Sequence, residues 1–131
     1  MSEPSNSSQG FKPLADEAFV YRALLRQFWL NEDTGAVKRD AYYLRFDRNE
    51  IGLSVNLASA CSPQDCAARF KKCYGVASLS LGDIRRLGLN VVQDSVNHAN
   101  IVGLPYRETD RLAADRYARL LAQASQVVWR P

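Results

Sequence analysis

The chain has 131 residues, of which 47% are hydrophobic and 24% are charged, and its formal net charge at pH 7 is +3. This length and composition predict one globular domain that can bury a core without disulfides or metal. The weak positive charge falls well short of the concentrated charge that is typical of a dedicated nucleic-acid-binding protein.

Targeting and membrane signals bear on where such a domain works. No stretch approaches the roughly 18–20 apolar residues of a membrane span, and residues 1–13 lack the apolar core of a secretory signal. The three cysteines are an odd number, whereas secreted scaffolds usually pair theirs. We therefore expect an intracellular, cytoplasmic protein of bacterial type without a membrane partner.

The N-terminal segment, residues 1–13, is rich in Ser, Pro and Gly and is predicted to be a flexible tail, so that the domain comprises residues 14–131. Residues 14–30 then show helical periodicity, because apolar residues recur at steps of four and three. We expect an amphipathic helix here, and its aromatic residues are expected to belong to the core. The periodic residues are Leu14, Ala18, Tyr21, Leu25 and Phe28.

Two strands are predicted next, at residues 41–46 and 53–58, because both runs are rich in β-type residues and a polar loop ending in Gly52 separates them. The two strands would form a hairpin. Alternation in the first run predicts that Tyr43 and Arg45 share one face of the sheet. The residues assigned to the other face are Tyr42, Leu44 and Phe46.

One helix start is clearly encoded in the middle of the chain. Ser62 is a favourable N-cap, Pro63 suits the first helical position, and Asp65 can complete a capping box. The helix is predicted to run to about Tyr74 and to stop at Gly75.

The most apolar part of the chain follows and is the predicted centre of the fold. A strand at residues 75–79 leads into a second capping pattern, formed by Ser80 and Asp83, which opens a short helix through Arg86. Gly88 is suited to end that helix, because glycine adopts the left-handed conformation without strain.

The last part of the chain supplies two strands, at residues 90–93 and 99–103, and a long helix capped by Thr109 that runs to about Trp129. The order of all elements predicts an α+β protein. We expect a small, mainly antiparallel or mixed sheet of about five strands, with two long terminal helices packed on it.

The spacing of the cysteines and glycines shows whether the chain has a metal-binding or phosphate-binding motif. Cys66 and Cys73 are seven residues apart on a predicted helix, which separates them by roughly 10 Å. That distance is too long for a disulfide or for ligands of one zinc ion. The strand-to-helix turn at residues 79–83 lacks the Lys-Ser/Thr of a phosphate-binding loop. We therefore expect no metal and no cofactor.

The single histidine, His98, is the residue with acid–base chemistry near neutral pH. It is either a structural residue at a strand end or a catalytic residue. In the catalytic interpretation its partners are Arg45, Tyr43 and Ser54 from the predicted hairpin, and Glu108 beyond the last strand.

Three of these residues resemble the pattern of a known family. Arg45 on one strand, Ser54 on the next and Glu108 after a later strand are similar to the Arg, Ser and Glu of ADP-ribosyltransferases. The resemblance is confined to these isolated residues and lacks a doubled Ser-Thr-Ser or Glu-x-Glu element. It implies a small enzyme that acts on a nucleotide.

A group of cations offers a different kind of site. Positive charges near the end of the middle helix and on the short helix could form one basic patch for an anionic partner, or they could simply favour the negative ends of those helices. The residues concerned are Arg69, Lys71, Lys72, Arg85 and Arg86.

Three functional hypotheses result. The first is a non-enzymatic interaction or assembly module that binds a protein partner or a second copy of itself, because catalytic motifs are scarce. The alternative is a small enzyme that processes a nucleotide or nucleic acid, ADP-ribosyltransferase-like or nuclease-like and toxin-like, using His98 and Arg45. The third is a weakly basic nucleic-acid-binding protein.

Overall fold

A computed structural model describes residues 11–131. Within this range the chain forms six strands, three helices and three short 3-10 turns. The strands are β1 (Phe19–Leu24), β2 (Gly52–Leu57), β3 (Gly75–Ser80), β4 (Asn90–Gln93), β5 (His98–Val102) and β6 (Gln126–Trp129). The helices are α1 (Pro63–Ala68), α2 (Leu81–Arg86) and α3 (Arg111–Ala124), and the 3-10 turns are Gln27–Trp29, Arg39–Tyr42 and Phe46–Arg48.

The six strands form one sheet in the order β4-β5-β2-β1-β3-β6, and every neighbouring pair is antiparallel. The predicted α+β class is confirmed. The expectation of two long terminal helices is wrong, and the sheet has six strands rather than about five. Residues 1–10 of the predicted tail lie outside the described residues. In the described part of the chain, no helix is long and apolar enough to cross a membrane.

Strand β1 replaces the helix that the periodicity of residues 14–30 predicts. Val20 and Leu24 pack in the main core, whereas Ala23 packs in a second, smaller cluster. A central strand that is buried on both faces is a nearly continuous apolar run, and periodicity does not distinguish such a run from a buried helix. Its pairing with β2 and β3 therefore decides its conformation.

The first strand of the predicted hairpin, residues 41–46, is not a strand either. The chain forms the 3-10 turn Arg39–Tyr42 and then a short extended stretch, in which Tyr43 and Arg45 have β-type backbone angles. Because this stretch is extended, two of the three residues predicted to share a buried face are buried. The third, Phe46, is 49% exposed. The buried members of the alternation are Tyr42 and Leu44.

Helix α1 stops at Ala68, before its predicted end at Tyr74. The main-chain N–H of Tyr74 donates to the carbonyl of Leu24 at 2.8 Å, at the end of the β1–β3 ladder. The segment between Ala68 and Tyr74 must cross from the helix to the sheet, so it does not remain helical.

The final helix is also shorter than the sequence predicts. Asp110 rather than Thr109 is its N-cap, because the Asp110 carboxylate accepts a hydrogen bond from the N–H of Ala113. The helix ends at Ala124, and the next residues form the edge strand β6. The β-branched pair at positions 127 and 128 favours a strand over a helix.

The other local signals are confirmed. Ser62 and Ser80 cap α1 and α2 by accepting hydrogen bonds from the N–H groups of Asp65 and Asp83. At Ser62 the Asp65 carboxylate also accepts from the Ser62 N–H and completes the predicted capping box, whereas the second capping-box pattern supplies the Ser80 cap alone. Gly88 follows α2 with a φ of 89°. These signals depend on neighbours three or four residues away, and they form without help from distant parts of the chain.

The two faces of the sheet have different covers. Helices α2 and α3 and the turn Arg39–Tyr42 cover one face, called here the packed face, where the main apolar core lies. Helix α1 covers part of the other face, called here the cleft face. There Cys66 and Ala67 pack against Ala23 and Val76.

Strands β1 and β2 separate along their length. Their register comprises only the pairs Val20–Leu57 and Tyr21–Asn56. By contrast, β1 pairs with β3 from Phe19 to Leu24. The sheet is therefore continuous at one end of β1 and open toward its other end, where Arg22 faces β2.

Candidate functional site

A cleft of about 630 Å³ lies on the cleft face where β1 and β2 separate, and we call it the sheet cleft. Residues from distant parts of the chain meet there, from β1, the segment after it, the extended stretch before β2, β2 itself, the end of α1 and β5. They are Arg22, Ala23, Leu25, Arg26, Trp29, Tyr43, Arg45, Glu50, Ser54, Asn56, Arg69, Phe70 and His98.

Arg22 bridges the opening between the two strands. Its Nε donates to the carbonyl of Ala41 and its Nη1 to the carbonyl of Ser54, both at 3.0 Å. The guanidinium carbon lies 5.4 Å from the ring centroid of Trp29, within range of a cation–π contact. Because main-chain carbonyls hold two of its N–H groups, the guanidinium has a fixed position in the cleft.

The charge of Arg22 has no direct partner. Among residues 11–131, no carboxylate forms an ion pair with it. Burial lowers the pKa of Arg22, since a charged guanidinium is costly to remove from water. An arginine nevertheless stays protonated at neutral pH, so the cleft contains a half-buried positive charge that no carboxylate of residues 11–131 contacts directly.

Among residues 11–131, Glu50 is the carboxylate that lines the sheet cleft, and it binds Arg45. Glu50 accepts hydrogen bonds from the backbone N–H, the Nε and the Nη2 of Arg45, at 2.7, 3.1 and 2.8 Å. Burial alone would raise the pKa of Glu50, but these hydrogen bonds and the arginine charges lower it overall. With Arg26 and Arg69 also on its walls, the cleft has an excess of positive charge.

His98 is held by a carboxylate at the edge of the cleft. Its Nδ1 lies 2.7 Å from Oδ1 of Asp94, and Nδ2 of Asn100 donates to Oδ2 of Asp94 at 2.9 Å. Burial by itself raises the pKa of Asp94, whereas the bonds and charge from His98 and Asn100 lower it overall. The imidazole therefore has a fixed orientation in which Nδ1 faces Asp94.

The polar floor of the cleft is formed by β2. Asn56 is 6% exposed; its Nδ2 donates to the carbonyl of Asn97, and its Oδ1 accepts from Sγ of Cys66 at 3.2 Å. Burial raises the pKa of Cys66 to about 12, so this thiol stays protonated and unreactive. The hydrogen bond from Asn56 to Asn97 holds the turn that precedes His98.

Aromatic side chains form the remaining walls. Trp29 and Tyr43 are half-buried, and Phe70 is 38% exposed. The hydroxyl of Tyr43 donates to Asp115 on α3 at 2.6 Å. Burial and this hydrogen bond raise the pKa of Tyr43. The cleft thus combines flat apolar surfaces with fixed cations.

The structure brings together four of the five residues that the sequence suggests for a catalytic site. Tyr43, Arg45, Ser54 and His98 all line the sheet cleft, whereas Glu108 does not. Glu108 is exposed in the segment that precedes α3.

The five basic residues of the second predicted site are not on one surface. The first three lie at or after the end of α1 on the cleft face, and Arg69 lines the cleft. The other two are on α2, which packs on the opposite face. There Arg85 pairs with Asp16, and Arg86 pairs with Asp83. The three from the end of α1 are Arg69, Lys71 and Lys72.

Sequence reasoning missed Arg22, Trp29 and Asp94. The predicted helix over residues 14–30 assigns Trp29 to the apolar core. In the same helix Arg22 lies off the apolar face and is an ordinary solvated residue. One signal points to the strand: the β-type run Phe19–Tyr21 directly precedes the arginine.

The three cysteines pack against one small cluster on the cleft face. Cys73 lies beyond the end of α1, so the separation of roughly 10 Å calculated for a helix does not apply. Cys61 and Cys73 pack against the same small cluster as Cys66, and all three are free thiols. Within residues 11–131, no group of three or more His, Cys, Asp or Glu side chains is arranged to hold a metal ion.

Comparisons with known proteins returned no match, whether with family models, with curated proteins or with solved structures. The sheet cleft is therefore interpreted from its own geometry and charge.

Proposed function

We propose that the protein is a small enzyme that binds a nucleotide in the sheet cleft and acts on it. This is the ADP-ribosyltransferase-like alternative suggested by the sequence, with a different arginine in the principal role. The observation that carries the proposal is the half-buried guanidinium of Arg22, which main-chain carbonyls fix and which forms no ion pair with a carboxylate of residues 11–131.

A phosphate is the ligand group that best suits Arg22. A buried cation without a counter-ion is costly, and an anion that enters the cleft removes that cost. The planar guanidinium matches the oxygens of a phosphate, and charge-assisted hydrogen bonds of this kind are stronger than neutral ones. Arg26 and Arg69 on the same walls add positive charge for a second phosphate.

The aromatic walls support a nucleotide rather than a simple phosphate. Trp29, Tyr43 and Phe70 offer ring faces and edges for a base, and stacking on such side chains contributes about 1–3 kcal/mol per base. A cleft of about 630 Å³ lies within the range of roughly 300–1,000 Å³ that is usual for small-molecule sites.

The roles of the arginines differ from those that the sequence suggests. The pattern of an arginine on one strand and a serine on the next is met by Arg22 on β1 and Ser54 on β2, since Arg45 is on no strand and its charge is taken by Glu50. Glu108 is outside the cleft and Glu50 is held by Arg45, so the acidic residue of the family pattern has no free counterpart among the residues that line the cleft. His98 supplies acid–base chemistry at the β5 side.

The proposal is tested by calorimetric titration of the protein with ADP-ribose. We expect saturable binding with one site, and we expect Arg22→Gln to weaken it at least about tenfold, as for loss of a charged hydrogen-bond donor. Since Arg22 also joins β1 to the rest of the fold, Arg69→Gln is the second variant. Arg69 is exposed, and its loss should weaken binding about two- to fivefold.

The matched control is Arg86→Gln, which removes an exposed arginine from the packed face. Binding should be unchanged in this variant. Failure of ADP-ribose to bind the wild-type protein contradicts the proposal, as does an equal loss of affinity in Arg69→Gln and Arg86→Gln. If ADP-ribose does bind, release of nicotinamide from NAD by the wild-type protein would identify the ADP-ribosyltransferase-like reaction.

The interaction-module hypothesis stays a prediction. Its residues would be exposed apolar side chains such as Phe46 and Ile51, which are 49% and 84% exposed. The nucleic-acid hypothesis has less support, because the five basic residues lie on two faces and two of them are paired with carboxylates.

A further inference from the structure

We propose that Nε2–H of His98 donates a hydrogen bond to a phosphate of the ligand in the sheet cleft. Asp94 and Asn100 are positioning residues that hold the ring for this contact. The identity of the ligand rests on the proposed function. The role assigned to Asp94 and Asn100 rests on the geometry of the turn between β4 and β5.

Both oxygens of the Asp94 carboxylate are engaged, one by Nδ1 of His98 at 2.7 Å and the other by Nδ2 of Asn100 at 2.9 Å. The backbone N–H of Asp94 also donates to the carbonyl of His98 at 3.0 Å, which closes the turn on the same pair. Because a carboxylate only accepts, Nδ1 of His98 carries a proton. Nε2 is then the ring nitrogen left for a ligand in the cleft that His98 lines.

His98 lies between charges of opposite sign. Four arginines line the same cleft, and the carboxylate of Asp94 contacts the ring on its Nδ1 side. An anionic ligand in the cleft would meet the arginines and His98 together. The titratable and charged groups that face the cleft from its other elements are Arg22, Arg26, Tyr43, Arg45, Glu50 and Arg69, and Cys66 lies behind Asn56.

The pH dependence follows from this arrangement. When His98 is protonated, Nε2–H donates to a phosphate oxygen and both partners are charged, which strengthens the hydrogen bond. The ligand therefore binds the protonated protein more tightly than the neutral one. We therefore expect the protein to bind an anionic ligand more tightly at low pH than at high pH.

The test is titration with ADP-ribose. Each of its two phosphates has one ester link and shares the bridging oxygen, so each keeps a single negative charge between about pH 5 and pH 8. In the wild-type protein we expect the affinity to fall about tenfold or more from the lower to the upper end of this range, the effect of one charge-assisted hydrogen bond. At every pH, His98→Gln should bind with the low affinity that the wild type has at about pH 8. Asp94→Asn removes the carboxylate charge beside the ring and should show a smaller pH dependence.

The chain has one histidine, so the nitrogen resonances of ¹⁵N-histidine-labelled protein report on His98 alone. We expect the neutral form to carry its proton on Nδ1, and we expect ADP-ribose to shift the Nε2 resonance. Asp83→Asn is the control, because it removes a carboxylate from α2 on the packed face. It should change neither the resonances nor the pH dependence.

Two results overturn the proposal and leave the proposed function intact. One is binding of ADP-ribose that needs Arg22 but does not vary with pH. The other is a neutral His98 with its proton on Nε2. Failure of ADP-ribose to bind at any pH overturns the proposed function and the ligand contact together. Nδ1 protonation that persists in Asp94→Ala, which removes the acceptor oxygen, would show that the aspartate does not position the ring.

Discussion

The packed face and the cleft face of the sheet differ in what covers them and in the residues they present. On the packed face, α2, α3 and the turn Arg39–Tyr42 bury large apolar side chains in one continuous core. On the cleft face, α1 contributes only Cys66 and Ala67 to a small cluster, and the remaining surface is lined by arginines, aromatic rings and His98.

The difference shows how a small domain can carry a charged site. Apolar burial stabilises the fold by roughly 25 cal/mol per Å², and most of it is concentrated on the packed face. The cleft face can therefore contain a separated pair of strands and a half-buried cation, both of which cost stability. We expect substitutions on the packed face to affect folding, and those on the cleft face to affect ligand binding.

The largest effect is expected for Leu121→Ala in α3. Leu121 is 0% exposed in the main core, and such a truncation costs about 2–5 kcal/mol of the free energy of unfolding. Urea denaturation measures it. The neighbouring Leu120 is half-buried, so Leu120→Ala should cost clearly less.

On the cleft face the matching substitution is Cys66→Ala, which removes a fully buried side chain and its hydrogen bond to Asn56. We expect a cost of about 1 kcal/mol. If Cys66→Ala destabilises the protein as much as Leu121→Ala does, the comparison between the two faces is wrong.

The helix caps provide a smaller and better matched test. Ser62→Ala and Ser80→Ala each remove an N-cap hydrogen bond, and each should lower the free energy of unfolding by about 1 kcal/mol. Their effects on function should differ. Helix α1 leads directly to Arg69 and Phe70 in the cleft, so only Ser62→Ala should weaken binding of ADP-ribose. Equal binding by both variants would show that α1 does not support the cleft.

The smallest effect is a loss of stability in acid that originates on the cleft face. The pKa values of Glu50 and Asp94 are lowered in the folded protein. Each group therefore stabilises the fold above its unfolded pKa, 4.5 for Glu50 and 3.8 for Asp94, and this contribution disappears as the pH falls through the folded value.

Thermal unfolding between about pH 3 and pH 6 measures this contribution, in the range where carboxylates titrate. Glu50→Gln and Asp94→Asn should each have a melting temperature that falls less steeply in acid than that of the wild type. Asp83→Asn, which removes an exposed partner of Arg86 from α2, serves as the comparison. A profile identical to the wild type in the two cleft variants would contradict the lowered pKa values.

Much of the local structure was predictable because its causes are local. The caps at Ser62 and Ser80, the glycine that follows α2 and the strands β2 to β5 all follow from residues a few positions apart. The α+β class follows from the order of these elements. Ser54 and His98 also reach one cleft because alternation along β2 and β5 fixes the face of the sheet that each side chain meets. Tyr43 and Arg45 line the same cleft although they lie on no strand.

The sequence by itself therefore determined where helices begin, where strands turn and which class of fold results, since neighbouring residues control backbone angles and caps. Only the tertiary structure decided that residues 19–24 form a strand, that residues 126–129 leave the helix, and that Arg22 and His98 line the same cleft. Those outcomes depend on pairing between strands far apart in the chain. The hydrogen bonds and burial that select them exist only when the whole sheet is assembled.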